Sequence, residues 1–164
     1  MTKNLDKEGL RLIADNYDLF YIDLWGVIHN GIKLHEKAII TLNKLLKMNK
    51  DFVLLTNAPR PNLSVKKFLE KMGMDEKIRD HVFTSGQAAL SYLKKFNLTD
   101  KFFHIGPPRD FDLFNDFKNN QSKALGDSQY LLCTGLFDDQ DKDLNYYKKL
   151  LEKHINKKMI CTNP

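Results

Sequence analysis

Apolar runs of four or five residues alternate along the chain with stretches whose apolar positions recur at helical spacing, and this alternation restricts the fold more than any other feature. Short runs buried on both faces read as strands of a parallel sheet, and the amphipathic stretches between them read as covering helices. The expected class is therefore α/β. Strands are expected at "LFYID" (19–23), "FVLLT" (52–56), "HVFT" (81–84), "KFFHI" (101–105), "YLLCT" (130–134) and "KMICT" (158–162). Between them, "HEKAIITLNKLLKM" (35–48) aligns Ala38, Ile39, Leu42, Leu45 and Leu46 on one helical face. Pro61 suits the first turn of a helix with Leu63, Phe68, Leu69 and Met72 inward, ended by Gly73. Thr84 or Ser85 can cap "GQAALSYLKKF" (86–96), and further helices are expected near 111–117 and across 141–155. The polar stretch 115–128 reads as a loop, and a boundary between two small α/β lobes is expected just after residues 84–86.

A chain of 164 residues with 42% apolar content can fill one ordinary core, or one and a half small ones. Its opening residues carry no apolar leader, and no later run approaches the roughly 18 apolar residues of a membrane helix. A cytoplasmic protein with no membrane partner is expected. The net charge of +5 is spread over lysines on helix faces without a nucleic-acid-reading motif, so no nucleic-acid partner is expected either. Cys133 and Cys161 each fall inside an apolar strand without a partner at metal or disulfide spacing, and are expected to be buried, reduced thiols. The histidines at 29, 35, 81, 104 and 154 form no ligand pair at helical spacing, which argues against a structural metal site.

Ligands of open parallel sheets meet the carboxyl ends of the strands. The first strand ends in Asp23, the second in Thr56 and Asn57, the third in Thr84, Ser85 and Gly86. Hydroxyl and amide donors at helix entrances suit phosphate oxygens. A carboxylate among them would repel a phosphate dianion, and it makes chemical sense chiefly where Mg²⁺ bridges the two and Asp23 attacks phosphorus as a nucleophile. An ordinary turn or capping role for Asp23 and for Thr56–Asn57 stands beside that reading.

"YIDLWGVIHNG", "FVLLTNAPRP", "VFTSGQAAL" and the terminal "MICTNP" resemble, in order and spacing, the class IIA branch of the haloacid dehalogenase superfamily, and most closely a subgroup whose first motif is D-x-W-G-V. The resemblance implies a partial Rossmann-like core with an inserted α/β cap: core motifs over 1–85, cap over 86–160, and a return to the core at 161–164. It implies a phosphatase-like hydrolase acting on a small phosphorylated metabolite through an aspartyl-phosphate on Asp23. It further implies Mg²⁺ held by the Asp23 carboxylate and the Trp25 carbonyl, and a phosphoryl group gripped by Thr56 and Asn57. Gly26 and Arg60 would serve the phosphate or substrate, and Arg109 is a further candidate for an anionic substrate.

Two departures from the family pattern qualify this. Most members carry a second aspartate where this chain has Trp25, and an indole N–H donates a hydrogen bond but does not titrate. Losing a general acid/base costs about 10²–10⁴ in rate, so acyl phosphates and activated esters are the expected substrates. The family's charge-balancing lysine and acidic pair follow "TNP", and the sequence stops at Pro164. Weak metal binding is expected, with "LFYID" left at a sheet edge, pairing with a second copy or with a partner polypeptide that completes the core. The alternative is a catalytically inactive fragment or binding module that associates with itself or with a partner chain.

Overall fold

The computed structural model of the chain describes Leu5 and residues 9–94, 99–139 and 142–163. Lys95 and Phe96 of the expected helix 86–96, Asp141 at the start of the expected helix 141–155, residues 1–4 and 6–8 of the segment 1–85, and Pro164 lie outside the described residues. Two compact units are present. Met1–Thr56 with Lys66–Phe83 form the first, and Asn57–Val65 with Thr84–Pro164 the second.

The first unit is built on β1 (Leu19–Asp23) and β2 (Asp51–Thr56), joined by α1 (Glu36–Lys47); β2 is followed by α2 (Asn62–Lys71), a single turn α3 (Glu76–Arg79) and β3 (Val82–Thr84). The strand order is β1-β2-β3, and β1 runs parallel to β2 with Asp23 opposite Leu55. Helix α1 forms where the apolar spacing predicts it, turning Leu42 and Leu45 fully inward. Helix α2 departs from expectation: Leu63 and Phe68 are exposed, while Leu69 is fully buried and Met74, beyond the helix end, fills the core. The turn α3 was hidden in a polar stretch; Asp75 caps it by accepting from the Lys77 N–H at 2.8 Å. As the edge strand, β1 leaves Leu19 and Tyr21 exposed, at 44% and 68%.

The second unit carries α4 (Ser85–Leu93), β4 (Phe102–Ile105), β5 (Tyr130–Cys133), α5 (Leu144–Glu152) and β6 (Lys158–Cys161). Its sheet has the order β4-β5-β6, all parallel. Strand residues alternate between two cores, as the two-residue period of a strand requires. Phe102, Tyr130 and Leu132 pack with Phe114 and Phe117 on one face, while Ile105 and Leu131 pack with Tyr147, Leu150 and Leu151 of the α5 side on the other. The helix expected near 111–117 is 3₁₀ over Pro108–Asn120 and runs into the stretch 115–128 read as a loop, which turns 3₁₀ again over Leu125–Asp127; Leu113, Phe114, Phe117 and Leu125 give these segments an apolar side to bury.

His104 lies on β4, 8% exposed, with Nε2 at 2.8 Å from Thr134 Oγ1. Burial pushes its pKa down from 6.5 to about 4. The unfolded chain therefore binds a proton here that the folded unit refuses. The stability owed to a neutral His104 is fully present above pH 6.5 and is lost as the pH falls through about 4. Urea unfolding is expected to show this component as on the order of 1–3 kcal/mol, present in the wild type and absent from His104→Gln. An identical pH dependence in the two proteins would refute it.

Candidate active site

The parallel register of β1 on β2 brings Asp23 and Thr56 out of adjacent strands at one sheet edge. The chain then turns at once. The Leu24 N–H donates to Asp23 Oδ1 at 2.8 Å and to the Leu55 carbonyl at 3.1 Å, while the Leu24 side chain, 1% exposed, anchors the turn in the core. The Leu24 carbonyl accepts from the N–H groups of Ile28 and His29 at 2.9 and 3.2 Å. Gly26 takes φ 76°, a left-handed value that suits glycine, and gives its N–H to the His29 carbonyl at 2.8 Å. Its N–H is thus used in shaping the turn.

Trp25 is 64% exposed and meets His29 edge-on at 5.5 Å. The indole lies over Gly31, where a Cβ would come within 2.7 and 2.9 Å of ring carbons of Trp25, and Gly31 itself has φ 89°. The tryptophan and the second glycine of "WGVIHNG" are therefore one packing unit.

His29, 5% exposed, is the residue that sequence reasoning missed. Its Nδ1 accepts the Gly31 N–H at 3.0 Å, which assigns the ring proton to Nε2, and Phe68 packs edge-on at 5.7 Å. Burial lowers its pKa, and the charge of His35 lowers it further, while the charge of Asp23 acts in the opposite sense. His29 is thus a neutral donor in the same turn as Asp23. Its place a few residues after a strand-end carboxylate was the signal available, whereas metal-pair spacing was the wrong test.

In the second unit, Asn57 Nδ2 donates to Asn163 Oδ1 at 2.8 Å. Arg60 Nε lies 3.8 Å from Oδ1 of the buried Asp110. Burial raises the Asp110 pKa, opposed by a hydrogen bond with Thr134 and by the charges of Arg60 and Arg109. Arg109 is itself paired with both oxygens of Asp138, at 2.5 and 2.6 Å. Arg60, Arg109, Asp110, Asp138 and Asn163 line a cavity of about 490 Å³ in which each arginine already faces a carboxylate.

Thr84, Ser85 and Gly86 do other work than the phosphate binding expected of them. Thr84 Oγ1 donates to the Arg60 carbonyl and caps α4 by accepting from the Gln87 N–H at 2.9 Å; Ser85 Oγ donates to the Ala58 carbonyl at 3.0 Å. A Cβ on Gly86 would stand 2.4–2.7 Å from Arg60 backbone atoms. The three residues clamp the 58–60 loop.

Among the described residues, no group of three or more His, Cys, Asp or Glu could hold a metal ion, and no helix is long and apolar enough to cross a membrane. The donors at the first strand end are one exposed carboxylate and the backbone carbonyl of Trp25. Both are hard oxygens, the type Mg²⁺ takes while keeping several waters, so the residues fit that ion.

Residues 20–118 match the haloacid dehalogenase-like hydrolase family. Phosphoglycolate phosphatase 2 of Arabidopsis thaliana is 27% identical over 88% of this chain and 53% of its own length. The crystal structure of a haloacid dehalogenase-like hydrolase from Brucella suis superposes with a TM-score of 0.77 at 30% identity, covering 94% of this chain and 57% of the other. A 4-nitrophenylphosphatase from Thermotoga maritima, at 24% identity and a TM-score of 0.65, shares the fold over 92% of this chain and 56% of its own. The chain belongs to the haloacid dehalogenase-like hydrolases, in their class IIA branch. It spans about half the length of the relatives it matches.

The contact between Trp25 and Gly31 is directly testable, because Trp25 is the chain's single tryptophan. Gly31→Ala is expected to cost about 1–3 kcal/mol and to shift the tryptophan emission. Part of that cost should vanish in a Trp25→Ala background; strict additivity of the two changes would show that the indole is not what Gly31 accommodates.

Proposed function

We propose that the strand end of the first unit is the nucleophile site of a phosphatase-like hydrolase acting on a small phosphorylated metabolite. The observation that carries this reading is the register that sets Asp23, an exposed carboxylate, beside Thr56 at the carboxyl edge of two parallel strands. In this reading an oxygen of Asp23 attacks phosphorus as the bond from phosphorus to the leaving oxygen breaks, and water then hydrolyses the aspartyl-phosphate to return the carboxylate and inorganic phosphate. Thr56 and Asn57 orient the phosphoryl oxygens. Arg60, steered by Asp110, faces the anionic part of the substrate, while Arg109 is occupied by Asp138. Gly26 serves by bending the chain directly after Trp25, with its φ of 76°.

Asp23 and the Trp25 carbonyl would hold Mg²⁺, which when bound supplies charge neutralisation between carboxylate and phosphate. His29 contributes a neutral Nε2–H donor in the same turn. Neither Trp25 nor neutral His29 brings a proton of carboxylic-acid strength to the leaving oxygen, so turnover depends on a leaving group that departs unaided. In the same reading the chain is a member of the D-x-W-G-V subgroup, with residues 86–160 as the cap that selects the substrate.

A second reading, a non-catalytic module that pairs with a second copy or a partner chain, is favoured by the exposure of Leu19 and Tyr21 on the edge strand β1. Paired apolar edges are the usual route to such association. Sedimentation is expected to show self-association that Tyr21→Lys reduces; a strictly monomeric wild type would exclude pairing with itself through β1.

Phosphate release from acetyl phosphate and p-nitrophenyl phosphate tests the enzyme reading. Release is expected to require added Mg²⁺, to exceed that from an alkyl phosphate by about 10²-fold or more, and to fall to background in Asp23→Asn. Equal rates for wild type and variant would leave the binding-module reading standing.

A further inference from the structure

Phosphoryl transfer leaves the chain's two cysteines unused. They sit on neighbouring strands, where the parallel pairing of β5 with β6 sets Cys133 opposite Cys161, in contrast to the unpartnered, buried thiols expected from their spacing. Neighbouring strands stand about 4.8 Å apart, and directly opposite residues face the same side of the sheet. That separation falls inside the Cα window of roughly 4.4–6.8 Å that a disulfide spans. The two thiols are close enough to act on each other electrostatically.

Their surroundings differ. Cys161 is exposed, whereas Cys133 is half-buried beside Phe137 and the aliphatic residues of α5 and has its S–H 3.7 Å from the Gly135 carbonyl it donates to. Burial raises the Cys133 pKa, and the neighbouring Cys161 raises it further. One cysteine stands at an exposed position, and the other is held back directly opposite it. This is the arrangement of an attacking and a resolving cysteine.

We propose that Cys133 and Cys161 form a redox-active dithiol that hydrogen peroxide closes to an intrachain disulfide between β5 and β6. The Cys161 thiolate attacks a peroxide oxygen, the O–O bond breaks, and the departing oxygen leaves as water, giving a sulfenic acid. The Cys133 sulfur then displaces the hydroxyl from that sulfenic sulfur, and the Cys133 proton completes the second water. Two thiols lose two electrons and two protons, and one hydrogen peroxide becomes two waters. An exposed bond of this kind belongs to the labile class that thiols readily reopen. Closure acts on the residues that follow each cysteine. Thr162 donates its N–H to the Cys133 carbonyl at 2.9 Å, Thr134 bonds His104, and Asn163 bonds Asn57.

The test uses the full chain, reduced, at low concentration, treated with hydrogen peroxide, then alkylated in denaturant and weighed intact. The expected product is a monomer lighter by two hydrogens that takes no alkyl group and recovers both thiols in dithiothreitol. Cys133→Ser should instead stop at sulfenic acid, its higher oxides or a cross-linked dimer. Cys161→Ser should react more slowly than Cys133→Ser, by about tenfold, because its remaining thiol is sheltered. Phenylarsine oxide, which bridges paired thiols, should block both in the wild type and bind stably to neither variant. Two alkylatable thiols after peroxide, or only overoxidised monomer or interchain dimer, would overturn the proposal. Failure of the arsenical to bridge the wild-type thiols would do the same. None of these outcomes depends on whether the chain hydrolyses phosphate esters.

Discussion

The register of β1 on β2 is the constraint on which the rest of the first unit depends. Sliding one strand by a residue turns every side chain to the opposite face. Asp23 would then no longer stand opposite Leu55, and the Leu24 N–H would lose the carbonyl it shares with the Asp23 carboxylate. The pairing is held by buried residues on either side of it, Leu24 and Ile28 in the turn and Phe52 and Leu54 in β2. Chemistry at the strand end is thus positioned by apolar contacts that never touch a substrate.

How much of this was legible depended on whether a signal was periodic or local. Buried strands such as "YLLC" and the amphipathic α1 announce themselves through repeated apolar positions, and both formed where expected. The 3₁₀ segment over Pro108–Asn120 did so only in part, through the helix expected near 111–117, since its irregular backbone breaks the helical period and its apolar residues arrive as isolated phenylalanines among polar ones. Helix α2 was foreseen as an element but its inward face was misassigned, because Phe68 is drawn toward the His29 ring and out of the core that Leu69 fills.

The candidate site shows the same division. Asp23 and Thr56 were visible because strand ends are predictable places for polar groups. Thr84 was foreseen as a helix cap and is one, but the grip of Thr84, Ser85 and Gly86 on the 58–60 loop was not visible, since a hydroxyl that binds a ligand and one that clamps a loop look identical in one dimension. The pairing of Cys133 with Cys161 was equally invisible, because strand register is a property of the sheet and not of either strand.

The close approach of Gly86 to the Arg60 backbone carries a different kind of consequence. The path of the 58–60 segment is set at its backbone, by the missing Cβ of Gly86 and by the Thr84 and Ser85 hydroxyls that bond its carbonyls, while the Arg60 side chain reaches on to Asp110. Backbone placement and side-chain identity are therefore separately variable there. A lineage can exchange what it displays on this segment without rebuilding the support beneath, so recognition and architecture can drift at different rates.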